Sequence, residues 1–165
     1  MRSIILISIF LFFSTVKAST DEPIMSKIGP VPATDFTLPD INENIVNFSD
    51  HKGKYILVNF WAIWCPPCVK EFPSMQTLYE NLKDENLEII AVHAGPVDGD
   101  LTSFLEDNNI SFEVLIDKDI SVKGWKVAGL PISYLVDPKG QIIYQAIGPR
   151  DWGVDAMREL ITSAK

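Results

Sequence analysis

Thiol and imidazole side chains are scarce in this 165-residue chain, with two cysteines and two histidines. Neither His51 nor His93 stands at metal-site spacing from the cysteine pair, so the pattern argues against a metal centre built from both residue types. Basic residues are also few: 14 Lys and Arg face 22 Asp and Glu, for a formal charge of −8. So acidic a chain is not built to seek nucleic acid or an anionic membrane. Its acids, Glu80, Asp84, Glu85, Glu88 and Asp98 among them, serve solubility. Internal repeats and low-complexity tracts are absent, and the length suits a single domain. Long apolar runs are missing too. The longest, Ile4 to Phe13, reaches thirteen residues only when counted through Val16, short of the roughly 20 a spanning helix needs.

That run has Arg2 before it and Val16 and Ala18 after it, the layout of an export leader cleaved after Ala18. The alternative is an uncleaved N-terminal membrane anchor. Cysteine does not follow the run, which argues against a lipid anchor. Loss of Arg2 and Lys17 leaves the remainder two charges more negative. An exported protein meets an oxidising compartment, where cysteines pair as staples. Here the pair is three positions apart, and closing so short a loop is worth only about 2 kcal/mol in the chain-entropy picture. Redox chemistry explains the pair better than stapling.

The stretch that organises the chain is Tyr55–Pro73, YILVNFWAIWCPPCVKEFP. Tyr55 to Trp61 is apolar except for Asn59 and rich in β-branched and aromatic residues, predicting a strand buried on both faces. Cys65 and Cys68 follow where a helical pattern begins. A Cys-x-x-Cys at a strand-to-helix junction is a redox motif, because free N–H groups and the helix dipole there stabilise a thiolate.

Residues 19–34, with Pro23, Gly29, Pro30 and Pro32, lack periodicity and read as an extended or mobile arm. Phe36–Leu38 and Ile45–Phe48 flank the turn-rich Asp40–Asn44 as a hairpin. A helix is expected from about Pro66 to Lys83, with Phe72, Met75, Leu78, Tyr79 and Leu82 facing the core and Pro73 kinking it. Strands follow at Leu87–Val92 and Phe112–Ile116, separated by a helix at Leu101–Asn108 capped by Asp100. Ile120–Trp125 reads as a short helical turn. Ser133–Val136 and Ile142–Ile147 form a hairpin around the turn Asp137-Pro138-Lys139-Gly140, and a terminal helix spans about Val154–Ser163. This order argues an α/β sandwich with a mixed sheet.

Asp35-Phe36-Thr37-Leu38-Pro39-Asp40, Gly53-Lys54, Asn59-Phe60-Trp61-Ala62, Trp64-Cys65-Pro66-Pro67-Cys68, Glu71-Phe72-Pro73 and Gly129-Leu130-Pro131 with Leu135-Val136-Asp137-Pro138-Lys139-Gly140 occur in order. With these pieces the chain resembles the TlpA/ResA/DsbE type of thioredoxin-like thiol–disulfide oxidoreductase, exported proteins of bacteria. The resemblance implies a three-layer sandwich, a central mixed sheet with helices on both faces and an added N-terminal β-hairpin, over residues 35–165, after a signal peptide at 1–18 and an arm at 19–34. It implies an exposed nucleophile at Cys65 and a buried resolving thiol at Cys68, joined as a redox disulfide, with no cofactor. Pro131 matches the proline whose preceding bond is cis and whose backbone meets a bound substrate chain. Leu130, Trp64, Pro66 and Pro67 surround it as substrate-binding positions. Glu71 matches an acid near the cysteines, and Asn59 stands where cytosolic thioredoxins carry a buried aspartate, so Glu71 must take the proton from Cys68. The implied partners are protein disulfides, among them those of cytochrome c maturation, and a membrane thiol donor of the DsbD or CcdA kind, with the protein a periplasmic monomer. Ile132-Ser133 departs from the family's Thr-Thr or Glu-Thr and suggests a different substrate surface.

Each position also has a plainer reading. Glu71 can be a surface acid near a helix start; Trp64 can be a lid on the helix; Trp61 and Trp152 read as packing residues. His93 ends a strand near the cysteines, and His51 sits in a solvated turn. Pro66 and Pro67 fit the first helical turn, yet they remove two N–H groups that would solvate a Cys65 thiolate. Its pKa is therefore expected only moderately below the free value of about 8.5, which favours a reductant over a strong oxidant. Two other activities fit a Cys-x-x-Cys less well. A thiol peroxidase related to peroxiredoxins would carry threonine where Ala62 stands, and a copper- or zinc-handling module would use the two thiols alone.

Overall fold

The computed structural model describes residues 23–97 and 99–164. The leader at 1–18 and the first part of the arm lie outside these residues. A six-stranded sheet forms the centre, in the order β1 (Ser26–Pro32), β8 (Gln141–Ile147), β7 (Ile132–Val136), β4 (Tyr55–Trp61), β5 (Leu87–Ala94), β6 (Glu113–Asp117). The β4–β5 and β5–β6 pairs are parallel; β4–β7, β7–β8 and β8–β1 are antiparallel. A separate two-stranded hairpin, β2 (Thr37–Pro39) with β3 (Ile45–Asn47), lies beside it.

Every residue of β4 is buried, Asn59 included, as its composition, apolar but for that residue, demands of a central strand covered on both faces. Its alternation sorts the core into two layers. Tyr55, Leu57 and Trp61 point to the layer that receives α1 (Pro66–Leu82), α2 (Leu101–Asp107) and α3 (Val154–Ser163) through Phe72, Met75, Leu78, Leu101, Leu105, Met157 and Ile161. Trp61 and Phe72 have ring centroids 4.1 Å apart. Asp100 caps α2 as expected, accepting from the Ser103 N–H at 2.9 Å. The helix α1 runs unbroken through Pro73.

Ile56, Val58 and Phe60 point the other way, against Phe36, Leu38, Phe48, Trp125 and Tyr134. Trp125 is the hub of this layer. Its ring lies 5.5 Å from Phe48 and Tyr134 and 5.6 Å from Phe60, while its indole N–H donates to the Thr34 carbonyl. The thioredoxin-like sandwich therefore stands with one amendment. All three α-helices lie on one face, and the other is covered by the hairpin, a 3₁₀ turn at Phe48–His51 and the loop 118–130.

One local expectation needs correction, and of the arm's two readings the described part takes the extended one. Ile120–Trp125 forms no helix. The Asp117 carboxylate accepts from the Ser121 and Val122 N–H groups and the Ser121 hydroxyl, and Ile120 sits at φ 51°, outside any right-handed helix. The later part of the arm is ordered as β1, an edge strand on β8. Its prolines and Lys27 are typical of an edge that resists further pairing.

Candidate active site

The first helical turn of α1 is built around the cysteines. Cys65 is the N-cap, in extended conformation, with Pro66 and Pro67 at the first two helical positions. Its carbonyl accepts from the Cys68 N–H at 2.9 Å and the Val69 N–H at 3.2 Å, and its own N–H closes a turn onto Ala62. The two sulfurs are bonded, with Cα atoms 5.3 Å apart. Cys68 is fully buried and Cys65 is 6% exposed, so the expected exposed nucleophile is the more open of two largely covered sulfurs. Trp64 is 55% exposed beside them, and Pro66 and Pro67 face solvent.

Pairing of Phe60 with Ile132 brings Pro131 to the end of β4 from which the cysteine turn departs. The Leu130–Pro131 bond is cis, and both residues are half-buried. Leu130 packs against the layer that holds both cysteines. The Pro131 carbonyl is already engaged by the Gly148 N–H at 2.9 Å. Ile132, expected to alter the substrate surface, is 3% exposed, with its side chain turned into the aromatic layer around Trp125.

Glu71 lies one turn beyond Cys68, on the same face of α1, and it is buried, not a surface acid. Its Oε1 accepts from Asn59 Nδ2 at 2.7 Å and its Oε2 from the Arg150 backbone N–H at 3.0 Å. The Trp152 indole N–H faces the same carboxyl without reaching hydrogen-bond geometry. Burial pushes the carboxyl up from an ordinary 4.5 to about 7, and these donors hold it from rising further. A group titrating there exchanges protons readily near neutrality.

Asn59 joins Glu71 to Ser133, its cross-strand partner on β7, donating to the Ser133 hydroxyl at 2.9 Å. Its own Oδ1 is buried without a partner among the described residues. Sequence reasoning missed the parts played here by Ser133 and Arg150, because both depend on register and on a contact between distant segments. His93 does lie near the cysteine turn: its Nε2 accepts from the Ile63 N–H at 3.1 Å, and burial holds its pKa below the usual value. Trp61 and Trp152 are packing residues, both buried.

The sequence profile of the AhpC/TSA family matches residues 31–145. Thiol-disulfide oxidoreductase ResA of Bacillus subtilis (strain 168) is 36% identical over 117 residues, 70% of this chain and 65% of that protein. The ResA of Bacillus anthracis is 38% identical over 117 residues, 70% of this chain and 68% of its own length. The chain thus spans about two thirds of these curated relatives. Among solved structures, a Chlorobium tepidum chain assigned as thiol:disulfide interchange protein DsbE superposes with a TM-score of 0.69 at 31% identity, covering 84% of this chain and 99% of that one.

Proposed function

The chain belongs to the AhpC/TSA family, beside relatives named thiol-disulfide oxidoreductase, and from that premise we propose that it exchanges its Cys65–Cys68 pair with protein disulfides outside the cytoplasm, in the reducing direction. The observation that carries this reading is the Cys65–Cys68 disulfide at the mouth of α1 with a buried, proton-exchanging carboxyl one turn deeper. In the reduced protein, the Cys65 thiolate attacks a substrate sulfur, forming a mixed disulfide and expelling the substrate's other sulfur as a thiolate. Glu71 then takes the proton of Cys68. The Cys68 thiolate attacks the Cys65 sulfur, breaking the mixed bond and expelling the substrate's second sulfur as a thiolate. The two substrate thiolates take up protons from Glu71 and water. Two electrons pass to the substrate, and the disulfide between Cys65 and Cys68 forms again.

Trp64, Pro66 and Pro67 supply the exposed docking face, with Leu130 and Pro131 as its other wall. The protein works as a soluble, leader-cleaved monomer. Because the compartment is oxidising, electrons must return from a membrane thiol donor of the DsbD or CcdA kind, and general disulfide reduction or cytochrome c maturation would consume them. Titration against glutathione tests the direction. A potential below about −220 mV is expected, and one near about −120 mV would make the protein an oxidase.

A further inference from the structure

A proton on Glu71 needs an acceptor, and among the described residues the hydrogen-bond partners of both its oxygens are donors. Oε2 faces the Arg150 backbone N–H, and the neighbouring Trp152 indole is likewise donor-only. Oε1 faces the Asn59 amide, and an amide alone can present either a donor or an acceptor by turning over. In the orientation seen, Nδ2 donates twice while Oδ1 is buried with no partner, an arrangement matched to an ionised carboxylate. Turning over places Nδ2 where Oδ1 now stands unpaired, so one end of the amide is unpaired in either orientation and the protonation of Glu71 decides between them.

We propose that Asn59 is a positioning residue whose side-chain amide turns over when Glu71 takes the proton of Cys68, with Ser133 as its pivot. The inference rests on the role given to Glu71 above. As the proton arrives on Oε1, the Nδ2–H to Oε1 bond breaks and an Oε1–H to Oδ1 bond forms. The Ser133 hydroxyl, which accepted from Nδ2, rotates and donates to Oδ1. A hydroxyl does both, which gives a physical reason for serine at a position 2% exposed on a strand otherwise made of Ile, Tyr, Leu and Val. The groups facing the carboxyl are Asn59 from β4 and the backbone N–H and guanidinium of Arg150 and the indole of Trp152 from the segment after β8, with Cys68 one turn away on α1. The Arg150 and Trp152 groups only donate, and the Cys68 sulfur, once it has given up its proton, is spent in the attack on Cys65.

The test is a pH titration of the reduced, isotope-labelled protein by NMR, following the Glu71 carboxyl and the Asn59 side-chain amide together. Both are expected to move with one midpoint. If Glu71 titrates near neutrality while the Asn59 amide stays still, the turnover is wrong and the role of Glu71 stands. If Glu71 does not titrate there, both fall. Ser133→Ala is expected to slow resolution of a mixed disulfide about tenfold at neutral pH, the loss of one hydrogen bond, and Ser133→Thr to restore it. Equal rates for the alanine variant and the wild type would remove Ser133 as the pivot.

Discussion

The backbone N–H of Arg150 donates to Glu71 Oε2 at 3.0 Å, tying the segment after β8 to the second turn of α1. It supports a carboxylate in a site where burial raises the pKa from 4.5 to about 7. Folded Glu71 therefore holds a proton that the unfolded chain has already released. Its contribution to stability is complete below about pH 4.5 and is lost as pH rises through about 7. Glu71→Gln has no proton to lose. Between mildly acid and mildly alkaline pH, urea unfolding of the oxidised protein should show the wild type losing about 3 kcal/mol relative to the variant. Parallel pH profiles would show that Glu71 does not titrate in this range.

The two sulfurs differ in access, with Cys68 sealed and Cys65 slightly open. Cys65→Ser should abolish turnover with a protein disulfide. Cys68→Ser keeps the attacking thiol and lacks the resolving one, so it should accumulate a covalent complex visible on a non-reducing gel. A Cys68→Ser protein that turns over normally would reverse the order of attack.

Pro67 occupies the second helical position, whose N–H in most helices donates to the N-cap side chain. At this N-cap the side chain is the Cys65 sulfur. Pro67→Ala supplies the missing donor and should move the midpoint of iodoacetamide alkylation to lower pH. On the acid side of that midpoint, the rate should rise by about tenfold, and the protein should become more oxidising. An unmoved midpoint would mean that the new N–H does not reach the thiolate.

What the sequence disclosed follows from range. The strand at Tyr55–Trp61, the helix after Cys65, the cap at Asp100 and the hairpin around Pro138 are local patterns, and each appears where composition puts it. The strand Ser26–Pro32 has no period of its own and forms because β8 offers an edge. The second layer was misread because it depends on Trp125, whose partners come from four separate segments. The site divides in the same way. Cys65 and Cys68 sit at one helix start and are found by spacing, and Glu71, one turn on, is found by the resemblance. Ser133 and Arg150 reach Glu71 only through strand register and loop closure, 62 and 79 positions away from it in the chain.

Ile120 shows how far the loop 118–130 is shaped by its neighbours. Its N–H bonds to the Asp117 carbonyl, and the Asp117 carboxylate gathers the next two residues. This forces Ile120 to φ 51°, a region that a β-branched residue rarely enters and that is less favourable by about 1–2 kcal/mol for L-residues. The side chain is 58% exposed, so little apolar burial offsets that strain. Asparagine tolerates the same conformation because its short polar side chain bonds locally. Ile120→Asn should therefore stabilise the fold by about 1 kcal/mol, a rise of about 2–4 °C in melting temperature for a domain of this size. Ile120→Val keeps the branched carbon and should gain nothing. If thermal melts rank asparagine at or below valine, the left-handed turn does not hold in solution.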